Sequence, residues 1–109
     1  MQHKLTLPQL KKYDITQKVI EALADAESRA IIFTTIRKGK TAYDLAETLK
    51  IPLSSVYKKL TDLENLTLIQ VEKYMTTDSG RRLKIYRSRI KKADIIIKSK
   101  EPEIQLSAN

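Results

Sequence analysis

The sequence predicts a mainly α domain closed by β-hairpin structure, an α+β fold. Three observations predict it. Apolar residues recur at helical spacing in four stretches between Asp14 and Glu64. After Leu68 the period changes to two. Between two strand-like runs lies Thr76-Thr77-Asp78-Ser79-Gly80, which is turn chemistry with a glycine for positive φ.

The elements follow in order. Residues 1–13 hold Pro8 and three lysines without sustained period, and they read as an N-terminal arm. Asp14 with Gln17 matches a capping box, opening a first helix through Ile15, Val19, Ile20 and Leu23 to about Ala24. Asp25 caps a second helix with Glu27 in its first turn. Its apolar face is broad, Phe33 is read as core, and Gly39 is read as its stop. Thr41 with Asp44 opens a third helix bearing Leu45, Ala46 and Leu49. Pro52 breaks the chain and starts the fourth helix, about 53–64, whose Leu53, Val56, Tyr57, Leu60 and Leu63 form one face. Asn65 is its expected left-handed cap. Leu68–Met75 and Arg82–Ser88 are the expected strands of a hairpin. Ala93–Lys98 and Glu103–Ser107, turned at Lys100-Glu101-Pro102, are expected to form a second one. The organisation is thus an arm (1–13), a domain (14–90) and a C-terminal extension (91–109).

Composition narrows the function classes. The chain has 109 residues and a net charge of +8. Most of the excess lies in the second half, and Arg81–Lys92 carries seven basic side chains and no acid. Such clustering is the electrostatic footprint of a nucleic-acid binder. There is no cysteine, and the single histidine is His3. Thiol chemistry, thiolate metal sites and Ser-His catalysis are therefore not expected, nor is any metal or cofactor. No motif assembles nucleophile, base and phosphate loop, so an enzyme is not expected. No apolar run approaches the ~20 residues of a membrane helix and no signal-like h-region is present, so the expected location is cytoplasmic, on the nucleoid.

Helix, helix, short helix, tight turn, helix and hairpin describe a winged helix-turn-helix. The stretch TAYDLAETLKIPLSSVYKKLTDL, Thr41–Leu63, resembles the T-x-x-E-L-A-x-x-L-x-I-x-x-S-T-V-x-x-x-L-x-x-L pattern of the ArsR, MarR and TrmB-like transcriptional regulators. Ala46 suits close helix crossing, Ile51 plugs the turn, and Val56 and Leu60 seat the second helix. Leu66-Thr67-Leu68-Ile69 resembles the family's G-L-I entry to the wing, and Arg81–Arg87 its R-x-x-x-Y-x return strand. Pro52 stands where the family usually has Ser or Thr, and Thr67 where it commonly has Gly. The helix cap is therefore expected to be missing, and the wing entry to differ in shape.

The resemblance implies a sequence-specific double-stranded DNA-binding regulator. Its recognition helix, about 53–64, would enter the major groove, and a wing at about 75–87 would lie on the backbone or in the minor groove. Ser54, Ser55, Tyr57 and Lys58 are the candidates for base edges, and Lys59 for phosphate. Ser54 and Ser55 also suit a helix start, Tyr57 also suits half-buried packing, and both lysines also suit a solvated face. Arg81, Arg82 and Lys84 are the phosphate candidates of the wing. Thr41 caps its helix and could offer its backbone N–H to a phosphate. A homodimer and a protein of the transcription machinery are the other expected partners; the apolar surfaces available for a dimer are 15–24 and 94–106. The alternative function is a winged-helix module for protein contacts in a transcription or assembly complex. A single-strand or RNA binder would need aromatic platforms, whereas the five tyrosines are scattered along the chain.

Overall fold

The structure, a computed structural model, describes residues 7–97 and 101–109, the side chains of 7–13 excepted. The helices are α1 (Leu7–Ala24), α2 (Ala26–Thr34), α3 (Ala42–Leu49) and α4 (Leu53–Asn65). The strands are β1 (Ile69–Thr76), β2 (Arg82–Ser88), β3 (Ile90–Ile96) and β4 (Glu103–Ala108). β1 pairs with β2 and β3 with β4, both antiparallel, as two separate two-stranded sheets. This is the α+β architecture expected, including the second hairpin. Lys98 and Lys100, assigned by sequence to the end of a strand and its turn, lie outside the described residues.

α1 starts at Leu7, earlier than the Asp14 capping box suggested. Pro8 falls in its first turn, where the missing N–H needs no partner and the fixed φ suits the helix. Asp14 and Gln17 are inside the helix and make i,i+4 contacts, Asp14 with Lys18 at 3.3 Å and Gln17 with Glu21 at 3.2 Å.

The α1–α2 corner is built as expected. The Asp25 carboxylate accepts from the Ser28 N–H at 2.9 Å. Arg29 donates to the Leu23 and Ala24 carbonyls at 2.9 and 3.0 Å, closing the end of α1. Lys59, from α4, reaches Asp25 at 2.8 Å and Glu27 at 3.6 Å. The bond to Lys59, then the Ser28 N–H, holds the Asp25 carboxyl below its ordinary 3.8, at about 2.

α2 ends at Thr34, five residues before Gly39. Thr35 stops it: its hydroxyl donates to the Ile31 and Ile32 carbonyls at 2.9 and 3.2 Å. Gly39 has a different role. A Cβ there would lie 2.5 Å from Ile85 Cγ2 and 3.3 Å from the Tyr86 carbonyl. Its absence lets the loop close onto β2. There Lys40 N–H donates to Tyr86 O at 2.9 Å and Tyr86 N–H to Lys40 O at 2.8 Å.

The core lies where α2, α3, α4 and the base of the first hairpin meet. Ile31, Leu45, Val56, Leu60, Leu63 and Leu68 are buried there, joined by Ile51 of the turn and Tyr86 of β2. Phe33, expected in this core, is 79% exposed. The buried residues of α2 are Ser28, Ile31 and Ile32, so the helix turns Phe33 to its outer side.

At the α4–β1 junction Asn65 remains helical, and the left-handed residue is Thr67, at φ +60. The expected difference in shape is therefore absent: Thr67 adopts the conformation that glycine favours. As a β-branched residue it does so under strain.

Two stability predictions follow from these contacts. Thr67→Gly removes a left-handed penalty of about 1–2 kcal/mol at the entropic cost of a glycine, ~0.5–1 kcal/mol. It should raise the denaturation midpoint by a net ~0.5–1 kcal/mol of stability. Asp25→Asn keeps the cap and loses the ion pair. Because the folded Asp25 carboxyl titrates near 2 against an ordinary 3.8, its contribution is present above about pH 4 and fades as pH falls toward 2. Urea titrations should show the variant less stable at pH 7, by up to about 1 kcal/mol, with the difference shrinking as pH falls below about 4 and gone only below about 2.

Candidate nucleic-acid interface

α3 and α4 form the helix-turn-helix. The Asp44 N–H donates to Thr41 Oγ1 at 3.1 Å and the Thr41 N–H to Asp44 Oδ2 at 3.2 Å, a complete capping box. α3 stops at Lys50, φ +57, and the Ile51 N–H returns to the Ala46 carbonyl at 3.2 Å. Pro52 then starts α4 with no side-chain cap, as its sequence suggests. Val56, Leu60 and Leu63 face the core. Ser54, Tyr57, Lys58 and Thr61 are exposed on the other side, and Ser55 is half-buried.

The wing is β1, a tight turn and β2. In the turn, the Thr77 N–H donates to Arg81 O at 2.8 Å, the Gly80 N–H to Thr77 O at 2.9 Å and the Arg81 N–H to Thr77 Oγ1 at 3.1 Å. Gly80 supplies φ +84. The strands stay in register from Thr76↔Arg82 to Lys73↔Ile85, then shift between Val71 and Lys73. Nearer the body, Arg87 donates to the Ile36 carbonyl at 3.0 Å and pairs with Glu72 at 2.8 Å. Arg87, one of the seven basic residues of the Arg81–Lys92 run, is therefore a brace and not a free charge.

Between the start of α3, the outer side of α4 and β2 lies a groove of about 300 Å³. Of the candidate residues read from sequence, it brings together Thr41, Tyr57, Arg81, Arg82 and Lys84. Tyr43, Thr61 and Glu64 also line it. Arg81 donates to the Tyr43 hydroxyl, and its guanidinium carbon lies 5.2 Å from the centre of the Tyr43 ring. Arg82 stacks over Tyr74 at 3.9 Å. Both arginines are thus positioned by cation–π contact while their faces remain exposed to solvent. Tyr57 is 42% exposed. Desolvation of its phenol, then the neighbouring Tyr43, pushes its pKa up, and desolvation, then Glu64, does the same for Tyr86. Both phenols therefore stay protonated at neutral pH.

The other candidates fall outside this groove. Ser54, Ser55 and Lys58 lie along the N-terminal half of α4 beside it. Lys58 has no ion-pair partner among the described residues, so its charge is open to a ligand. Lys59 points the other way. Its ammonium is held by Asp25 and Glu27 under α2, and those contacts raise its pKa. It is a structural ion pair and is not presented with the phosphate candidates. The Thr41 N–H, the other anion donor expected, is occupied by the Asp44 carboxylate, and Thr41 itself is buried.

Tyr43 and Tyr74 were not singled out in the sequence. Tyr43 stands two residues after the α3 cap, and Tyr74 is the diagonal cross-strand neighbour of Arg82, across from Lys84. The hairpin register is the signal that could have found the second. The tyrosines that looked scattered are gathered by the fold: Tyr43, Tyr57 and Tyr86 line the groove and Tyr74 flanks it.

Among the described residues no cluster of His, Cys, Asp and Glu could hold a metal ion, and no helix is long and apolar enough to cross a membrane. No protein-family model matches the chain. No curated protein matches it. Among solved structures it is similar to NolR from Sinorhizobium fredii, at 15% identity over 80% of this chain and 81% of that one, with a TM-score of 0.61. The fold is a winged helix.

Proposed function

We propose that the protein is a sequence-specific, double-stranded DNA-binding transcriptional regulator of the broad ArsR, MarR and TrmB-like kind, acting in the cytoplasm on the nucleoid. One observation carries this reading. The wing arginines Arg81 and Arg82 are laid on Tyr43 and Tyr74 beside the exposed side of α4, so fixed positive charge and a polar helix face share one groove. In this reading Ser54, Ser55, Tyr57 and Lys58 meet base edges in the major groove. Arg81, Arg82 and Lys84 neutralise phosphates on the backbone or at the minor groove. The Tyr57 hydroxyl, kept protonated, is a donor. The NolR-like fold agrees with this reading.

The clustered tyrosines favour a second reading, a single-strand binder with stacking platforms. The arginine stacking weighs against it. Tyr43 and Tyr74 are already engaged by guanidinium groups and Tyr86 is buried, which leaves Tyr57 as the one open ring of that cluster. The reading as a protein-contact module finds less support here, because the outer side of α4 presents Ser54, Lys58 and Thr61 and no apolar stripe.

Fluorescence anisotropy over a salt series, with a random duplex of about 30 base pairs and its single strand, separates these readings. Duplex should bind more tightly, with log affinity falling linearly against log salt. Arg81→Ala and Arg82→Ala should each weaken binding to every duplex alike and lower the salt slope by about 1. Lys58→Ala should weaken a selected duplex more than a random one, by ~1–3 kcal/mol if Lys58 reads a base. Stronger binding to the single strand would favour the second reading. No duplex binding at low salt would overturn the proposal.

A further inference from the structure

A second groove, of about 410 Å³, lies between α2 and β3, away from the wing. Ala30, Phe33, Ile36 and Ala93 make it apolar, and the charged residues lining it, Arg29, Lys91 and Lys92, are all basic. Phe33, in the last turn of α2, is 79% exposed and has no partner among the described residues that would explain so large an exposed ring.

The strand side of this groove has a particular geometry. The consecutive residues Ile90, Lys91, Lys92 and Ala93 all line it. No residue of β4 lines it, so the groove lies on the side of β3 turned away from its partner, where the β3–β4 register shifts between Ile90 and Lys92. Among the described residues β3 pairs as a strand with β4 alone. Among the described residues, no backbone group of 91–96 bonds to main chain outside that pair. The groove therefore combines an open row of N–H and C=O groups, an apolar helical wall and a basic rim.

We propose that this groove docks an extended acidic segment of a partner protein, which adds as a strand to the free edge of β3. Its apolar side chains alternate onto Phe33, Ala30 and Ala93, and its carboxylates meet Lys91, Lys92 and Arg29. Lys92 is at present 3.5 Å from Asp94 in an exposed pair that a partner carboxylate can displace. Charge decides against a second copy of this chain. Two-fold antiparallel pairing of two β3 edges centred on the groove would set Lys91 opposite the second copy's Lys91, or Lys92 opposite its Lys92, a like-charge cross-strand pair. Lysines on a free edge repel identical edges in this way and favour an acidic one.

The test uses the full chain, labelled with ¹⁵N, and an eight-residue peptide alternating Val and Glu, with a Val/Lys peptide as control. The Val/Glu peptide should shift the amides of β3 and of α2 around Phe33, and slow hydrogen exchange along the outer edge of β3. Phe33→Ala, at a position too exposed to unfold the protein, and the double variant Lys91→Glu/Lys92→Glu should each weaken the peptide by roughly tenfold. Phe33→Ala should bind duplex DNA as the unaltered protein does, which keeps this test separate from that of the wing groove. The proposal is overturned if both peptides bind equally or millimolar peptide leaves β3 unmoved. Shifts centred on Tyr43, Tyr57 and Arg81 would also overturn it, as would a free protein that sediments as a dimer with its outer β3 amides already protected.

Discussion

The arrangement of the candidate interface depends on one pair of hydrogen bonds, between Lys40 and Tyr86 at 2.9 and 2.8 Å. Lys40 immediately precedes the capping box that starts α3, and Tyr86 sits on the strand that returns from the wing tip. The pair therefore fixes the wing against the helix-turn-helix. Gly39 permits it, because a side chain there would strike Ile85. Thr35 adds to it by accepting the Ser88 N–H at 3.1 Å, and the Arg87 contacts to Ile36 and Glu72 brace the same strand. With β2 anchored at its base, Arg81 at its far end comes within reach of Tyr43 on α3.

The two grooves differ in chemistry and in what they can engage. The wing groove is polar: cationic guanidinium groups on aromatic rings, neutral phenols and helix hydroxyls. Duplex DNA offers phosphates for the first and base edges for the rest. The groove beside α2 has an apolar wall and an open strand edge. DNA backbone has no complement for either, whereas an extended acidic peptide has both. In the readings proposed here, the protein presents a nucleic-acid face and a protein face on separate elements, as a regulator that recruits a partner requires.

Much of the fold is legible because local rules carry it. Asp25, Thr41 with Asp44, Pro52 and the Thr77–Gly80 turn act through neighbours in sequence, and the strand bounds of β2 follow from alternation and turn chemistry. Where reading fails, a distant contact decides. Phe33 shares its helix with buried Ile31 and Ile32, and which residues face the core depends on how α2 is rotated against α4. Gly39 resembles a helix stop until Ile85 and Tyr86 are placed beside it. Lys59 is one residue from Lys58 and alike in chemistry, yet 100° of helical rotation directs it to Asp25 instead of the open side. The stacking of Arg81 on Tyr43 joins residues 38 apart, and no local pattern announces it.

The most direct test of the central claim, that the groove between α3, α4 and the wing is the duplex-binding face, is amide chemical-shift mapping of the ¹⁵N-labelled protein with a duplex of about 30 base pairs at low salt. The account predicts shifts at Tyr43, along Ser54–Lys58 and through Gly80–Lys84, with α2 around Phe33 and the β3 edge unmoved. Shifts concentrated on α2 and β3, or none at low salt, would contradict it.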